Sequence, residues 1–166
     1  MEDYEKEFQD KSVMIIGGLG FIGSNLTHKL TELKTKRIII VDSLVEGGGG
    51  NLKNVEEIKD KIEVYICDMG DREKMGKLIQ NVDYIFNLAG SISHSGSKEN
   101  PLRDLELNLI AHVNFLEICR EYKKENPNSN LKILFTGTRD QYGKVKEEFL
   151  PVNEMQLVHH AADPQG

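Results

Sequence analysis

A chain of 166 residues, 39% hydrophobic and 29% charged, can bury one real core and has the composition of a globular domain. Its net charge of −6 without a basic run argues against a nucleic-acid or anionic-membrane surface, and no apolar stretch is long enough to span a membrane. Met1 to Lys11 is too polar and acidic for a secretory signal, and Cys67 and Cys119 lack metal-ligand spacing, so two reduced thiols in a cytoplasmic protein without a metal site are expected.

Residues 1–11 read as a short surface lead-in with room for a helical turn. Ser12 to Ile16 is the first strand. It ends in Gly17, Gly20 and Gly23, spaced G-x-x-G-x-x-G, and an amphipathic helix starts at once with Ile22, Leu26, Leu30 and Leu33 as its apolar stripe. Glycine allows positive φ in the turn, and a missing Cβ lets backbone approach a diphosphate and lets the helix sit close to the strand. The helix start then offers free N–H groups and partial positive charge to the anion. Strand, glycine turn and helix together make this a dinucleotide-binding pattern.

Arg37 to Val41 is a second strand, with the unbroken apolar run of a parallel sheet covered on both faces. Asp42 comes next, about twenty residues past Gly23, where a carboxylate can accept from both ribose hydroxyls. It would repel a 2′-phosphate, and no arginine follows directly, which favours NAD over NADP. Ser43 to Asn54 reads as a loop, expected to be mobile through Gly47 to Gly50 unless a ligand or partner covers it.

Ile62 to Ile66 is a third strand, and Asp71 reads as the N-cap of a short helix carrying Met75, Leu78 and Ile79. Tyr84 to Leu88 is a fourth strand ending in Ala89-Gly90, at the sheet end where ligands collect. The hydroxyl-rich loop Ser91 to Gly96 is open to two readings, ligand-facing or merely solvated, and position favours the first. Pro101 starts a long helix with the expected buried stripe Leu102, Leu105, Leu109, Val113 and Leu116. Asn108 within it is either a surface asparagine or a buried amide tying the helix to nearby backbone. Leu131 to Phe135 is a fifth strand. The tail shows no clear period, and the adjacent His159 and His160 read as loop histidines. Strands alternating with helices five times imply an α/β fold, a doubly wound parallel sheet with right-handed crossovers. The expected organisation is a lead-in over 1–11, the nucleotide-binding domain over 12–143 and a loop over 144–166.

These residues resemble the extended short-chain dehydrogenase/reductases, specifically the NAD-dependent epimerases and dehydratases acting on nucleotide sugars. The resemblance runs from about Lys11 to the last residue. It is carried by the stretch Gly17 to Ser24, by Val41-Asp42, Cys67-Asp68, Phe86 to Gly90 and Asn108, and by Thr138 to Gly143. It implies a Rossmann-like sheet, incomplete at its C-terminal end, that binds NAD. The implied cofactor set adds Phe21 and Ile22 at the helix start, Asp68 and Met69 at the adenine, Leu88, Ala89 and Gly90 at the nicotinamide ribose, and Asn108. Thr138 matches the active-site Ser/Thr, whose hydroxyl binds the reacting oxygen of the sugar. Tyr142 is expected to be structural.

Departures from the family pattern are as telling. A Tyr-x-x-x-Lys pair normally does the acid/base work, yet Gln165, after Pro164, stands at the tyrosine's place, and glutamine cannot exchange a proton at neutral pH. The chain stops before any lysine. Ile16 stands where threonine is common. Arg139-Asp140 after Thr138 differs from the acidic pair of the dehydratases, which favours an epimerase. The resemblance therefore implies the N-terminal part of a nucleotide-sugar epimerase, inactive as a fragment. The alternatives are a 4,6-dehydratase and a non-catalytic NAD-binding sensor or scaffold. A nucleotide sugar is the implied substrate, and the same resemblance implies a homodimer through the helix Leu102 to Lys124.

Overall fold

The computed structural model describes residues 3–91, 94–137, 147 and 150–151. The chain divides into two compact units, Met1–Phe135 and Thr136–Gly166. In the second, the Leu150 amide donates to the Glu147 carbonyl at 3.1 Å. The first holds a five-stranded sheet, all parallel, formed by β1 (Ser12–Ile16), β2 (Arg37–Asp42), β3 (Glu63–Ile66), β4 (Tyr84–Asn87) and β5 (Lys132–Phe135) in the order β3-β2-β1-β4-β5. Each strand lies within one residue of its predicted bounds. The strand order reverses direction next to β1, and such switch points open a crevice at the strand ends.

Side chains alternate between the two sheet faces, as the strand period of two requires. On one face Met14, Ile16, Ile39, Val41 and Ile85 pack under α3 (Arg72–Leu78) and α6 (Ala111–Glu125). On the other, Val13, Ile15 and Ile38 pack under Leu30 of α2 (Phe21–Glu32), joined by Phe8 of α1 (Asp3–Phe8). All five residues of β1 are buried, which explains the apolar run from Val13 to Ile16. The Asp71 side chain caps α3 by accepting from Lys74 N–H at 3.1 Å, and Met75, Leu78 and Ile79 are buried, as expected. Across the β2–β3 edge the Arg37 guanidinium forms two bonds of 2.7 and 2.8 Å to Glu63. Those bonds hold the Glu63 carboxyl below its ordinary range.

Two helical stripes differ from expectation. In α2 Leu30 is buried and Leu26 packs against the same core, as expected, but Gly23, Ser24 and Thr27 are buried with them and Ile22 is 64% exposed. The close seat of Gly23 on the glycine turn rolls the small residues inward and turns Ile22 out. In the long helix the whole predicted stripe Leu102, Leu105, Leu109, Val113 and Leu116 is exposed, at 45–72%. The buried residues are instead Ala111, His112, Phe115, Ile118, Cys119 and Tyr122. This helix is α5 (Pro101–Leu105), a π-helical turn (Glu106–Ile110) and then α6. Each extra residue in a π turn rotates the remainder of the helix by about 100°. The helix therefore carries two stripes, and the one of mixed composition faces the sheet.

Two elements went unpredicted. A 3₁₀ helix (Leu52–Lys61), capped by Asn51 accepting from Lys53 N–H at 2.9 Å, buries Val55 and Ile58 against Leu19 and Ile40. A short helix, α4 (His94–Glu99), occupies part of the hydroxyl-rich loop. Among the described residues no helix is long and apolar enough to cross a membrane.

Candidate dinucleotide site

The C-terminal ends of β1, β2 and β4 wall a cavity of about 710 Å³. The glycine turn forms one side. Gly17 has φ +77°, and a Cβ there would lie 2.9 Å from Ala89 N, so the position needs glycine twice over. Its N–H continues the sheet by donating to the Val41 carbonyl at 2.8 Å. Gly20 is the N-cap of α2, with no side chain capping the helix and no acidic residue in its first turn. A Cβ on Gly20 would meet only the Gly17 carbonyl, at an ordinary 3.4 Å, so this backbone faces open cavity. Gly23 plays a different part. A Cβ there would fall 2.3 Å from the Gly17 oxygen and 2.6 Å from Gly18 Cα. It lies behind the wall and lets the helix start touch the turn. An uncapped helix N-terminus over an open glycine backbone is a cradle of the shape a diphosphate fills.

Asp42 turns toward this turn. Its Oδ2 accepts from Leu19 N–H at 3.0 Å and its Oδ1 from Leu44 N–H at 2.9 Å. Each oxygen keeps further acceptor capacity for a ribose hydroxyl. The glycine-rich loop lies against the same carboxylate, since a Cβ on Gly50 would sit 3.1 Å from Oδ1. Backbone hydrogen bonds also run through that loop. Gly48 N–H donates to the Val45 carbonyl at 2.9 Å and Asn51 N–H to the Leu19 carbonyl at 3.1 Å.

On the far side of β2, Asp68 and Met69 line the cavity with Cys67, and Asp68 Oδ1 accepts from Gly70 N–H at 2.7 Å. Burial pushes the Cys67 thiol up. Past β4, Leu88, Ala89 and Gly90 line the opposite end. Ser91 and Gly96, the two ends of the hydroxyl-rich loop, line it too, as does Ser97 just beyond. Asn108 does not line the cavity and is exposed, which corrects the buried alternative, yet it does tie backbone. Its Oδ1 accepts from Ser91 N–H at 2.7 Å, and its Nδ2 donates to the Ser91 carbonyl at 3.2 Å and to Asp104 at 3.0 Å. Phe21, 84% exposed, and Ile22 also lie outside the lining, so their side chains are not part of the wall. Thr138 and Gln165 lie outside the described residues.

Beneath β4's end the Asn87 amide meets His112 Nδ1 at 3.0 Å, with the Phe135 ring edge-on to the imidazole at 5.2 Å. The amide N–H of Asn87 can only donate, so Nδ1 accepts, and burial holds the His112 pKa below its ordinary value. Leu19, Asn51, Asn54 and the wall residues Val45, Glu46 and Arg103 were not singled out from sequence. The signal for the asparagines was Asn51-x-x-Asn54 directly after the glycine run. Among the described residues no group of three or more His, Cys, Asp or Glu could hold a metal ion.

A parallel sheet with a glycine-walled crevice and an acidic strand end defines a Rossmann-type nucleotide-binding domain. Residues 14–162 match the family model described as GDP-mannose 4,6 dehydratase, and the chain belongs to that family, within the NAD-dependent epimerases and dehydratases. A putative UDP-glucose 4-epimerase of Methanocaldococcus jannaschii is 31% identical over 144 residues, 86% of this chain and 42% of that protein. The UDP-N-acetylglucosamine 4-epimerase of Methanobrevibacter ruminantium, solved with UDP-N-acetylmuramic acid, superposes with a TM-score of 0.71 at 27% identity over 92% of this chain and 45% of that one. A Bordetella bronchiseptica enzyme solved with NAD+ and UDP gives 0.65 at 26% identity, over 78% and 36%. The chain thus spans about two fifths of the length of the relatives it matches.

Proposed function

We propose that this chain is the cofactor-binding part of a NAD-dependent nucleotide-sugar epimerase. The observation that carries the reading is the pairing of a glycine cradle, lined by Gly17 and open at Gly20, with a carboxylate, Asp42, turned toward it across one cavity. The backbone of Gly17, Gly20, Phe21 and Ile22 would hold the diphosphate, and Gly23 would keep α2 close enough for them to do so. Asp42 would accept from the adenosine ribose, Asp68 and Met69 would flank the adenine, and Leu88, Ala89 and Gly90 would meet the nicotinamide ribose. Asn108 would steady the last of these by gripping Ser91. Bound there, NAD would supply reversible hydride transfer with a sugar carbon. Thr138 would donate a hydrogen bond to the reacting sugar oxygen and stabilise charge developing on it. Arg139-Asp140 after Thr138 supports epimerase over dehydratase.

Gln165 favours a second reading, a NAD-binding sensor or scaffold without turnover, because an amide cannot take up the substrate hydroxyl proton. Turnover of nucleotide sugars by the full-length protein, compared with Thr138→Ala and Gln165→Tyr, separates the two. Epimerase function requires that Thr138→Ala lowers kcat. Unchanged turnover in that variant refutes the catalytic role, and absent turnover with retained NAD binding favours the sensor. The exposed stripe Leu102, Leu105, Leu109, Val113 and Leu116 supports self-association through this helix, since contiguous exposed apolar surface of this kind marks interaction sites.

A further inference from the structure

The glycine turn is built from residues that do little to hold their own conformation, so its shape must be set from outside. The Leu19 peptide, between Gly18 and Gly20, is where that happens. Its N–H donates to Asp42 Oδ2 at 3.0 Å. Its carbonyl accepts from Asn51 N–H at 3.1 Å and from the Asn54 side-chain amide at 2.8 Å. Its side chain is fully buried among Ile40, Val55 and Ile58. Asn54 reaches the helix as well, because its own carbonyl lies 3.0 Å from His28 Nε2 on α2. Asn54 is a surface residue by exposure, yet it turns its amide inward onto the turn.

We propose that Asn54 is a positioning residue for diphosphate recognition. Anchored on the 3₁₀ helix, its amide holds the Leu19 carbonyl and so aims the Gly20 backbone and the start of α2 into the cavity. The inference rests on the dinucleotide reading of this cavity and adds to it a residue that does not itself touch the cofactor. A purely structural bond would affect all ligands through the folded fraction alone. A bond that aims the turn affects ligands that carry the diphosphate and spares those that do not.

The test is calorimetric titration of the full chain with NAD+, ADP-ribose and adenosine, alongside urea denaturation. The variants are Asn54→Asp, which sets a carboxylate against the Leu19 carbonyl, Asn54→Ser, which is too short to reach it, and Val55→Ala, which loosens the same helix but keeps the bond. The two Asn54 variants are expected to weaken NAD+ and ADP-ribose by about tenfold, while adenosine stays within about twofold. Val55→Ala is expected to lower the urea midpoint and leave the NAD+ to adenosine affinity ratio unchanged. Taking that ratio keeps the result readable if a variant folds only in part. Equal loss for all three ligands, or unchanged NAD+ affinity in both Asn54 variants, overturns the proposal. A wild-type chain that binds no NAD+ overturns the dinucleotide reading itself, and this inference with it.

Discussion

Replacing Gly23 by alanine tests the architecture of the site most directly. The added Cβ would stand 2.3 Å from the Gly17 oxygen and 2.6 Å from Gly18 Cα, and both neighbours are backbone that cannot swing aside. Restoring an ordinary contact requires α2 to retreat from the turn by about 1 Å. Overpacking of this kind costs about 1–3 kcal/mol. Alanine recovers up to about 1 kcal/mol of helix propensity over glycine, and less than that so near a helix end. The clash wins, and a net loss of about 1–2 kcal/mol is expected, read as a lower urea midpoint at unchanged slope. NAD+ affinity should fall with it, since the helix start moves away from the diphosphate. Gly20→Ala is the matched control. Its Cβ meets only an ordinary 3.4 Å contact and projects into open cavity, so NAD+ binding should drop while stability falls by less than about 1 kcal/mol. If Gly23→Ala is as stable as the parent and binds NAD+ equally well, α2 does not rest on the turn and the reasoning fails.

The buried His112 should make stability depend on pH. Its folded pKa lies below the unfolded value near 6.5, so the unfolded chain takes up the proton first, and stability should fall as pH drops from about 7 through the folded pKa. A His112→Gln variant should lose that slope, and an unchanged slope would place its origin elsewhere. Cys119, whose thiol burial pushes up to about 12, should resist thiol reagents at pH 8 until the domain opens. Rapid native-state labelling at Cys119 would contradict its burial. Because its folded pKa exceeds the ordinary 9.0, it should also cost stability as pH rises above about 9, where only the unfolded thiol ionises. Leu109→Glu with Leu116→Glu should abolish any self-association measured by light scattering while leaving the denaturation midpoint nearly unchanged, because both side chains are about half exposed.

The strands and the glycine turn were legible in the sequence because they depend on local rules. Unbroken apolar runs mark strands buried on both faces, and Gly17, Gly20 and Gly23 announce a turn that backbone geometry alone requires. Asp71 as a cap and Asp42 at the strand end obey the same short-range logic. What a helix packs against is not local. The leucines from Leu102 to Leu116 look like a core stripe, yet Phe115, Ile118 and Cys119 take the sheet side, and a π turn separates the phases of the two helical parts. Periodicity counts apolar positions and cannot say which of two apolar faces meets the sheet. The grip of Asn51 and Asn54 on Leu19, and of Asn108 on Ser91, was decided only by the tertiary fold. Such bonds join residues 17 to 35 positions apart, and only the folded sheet brings their partners within reach.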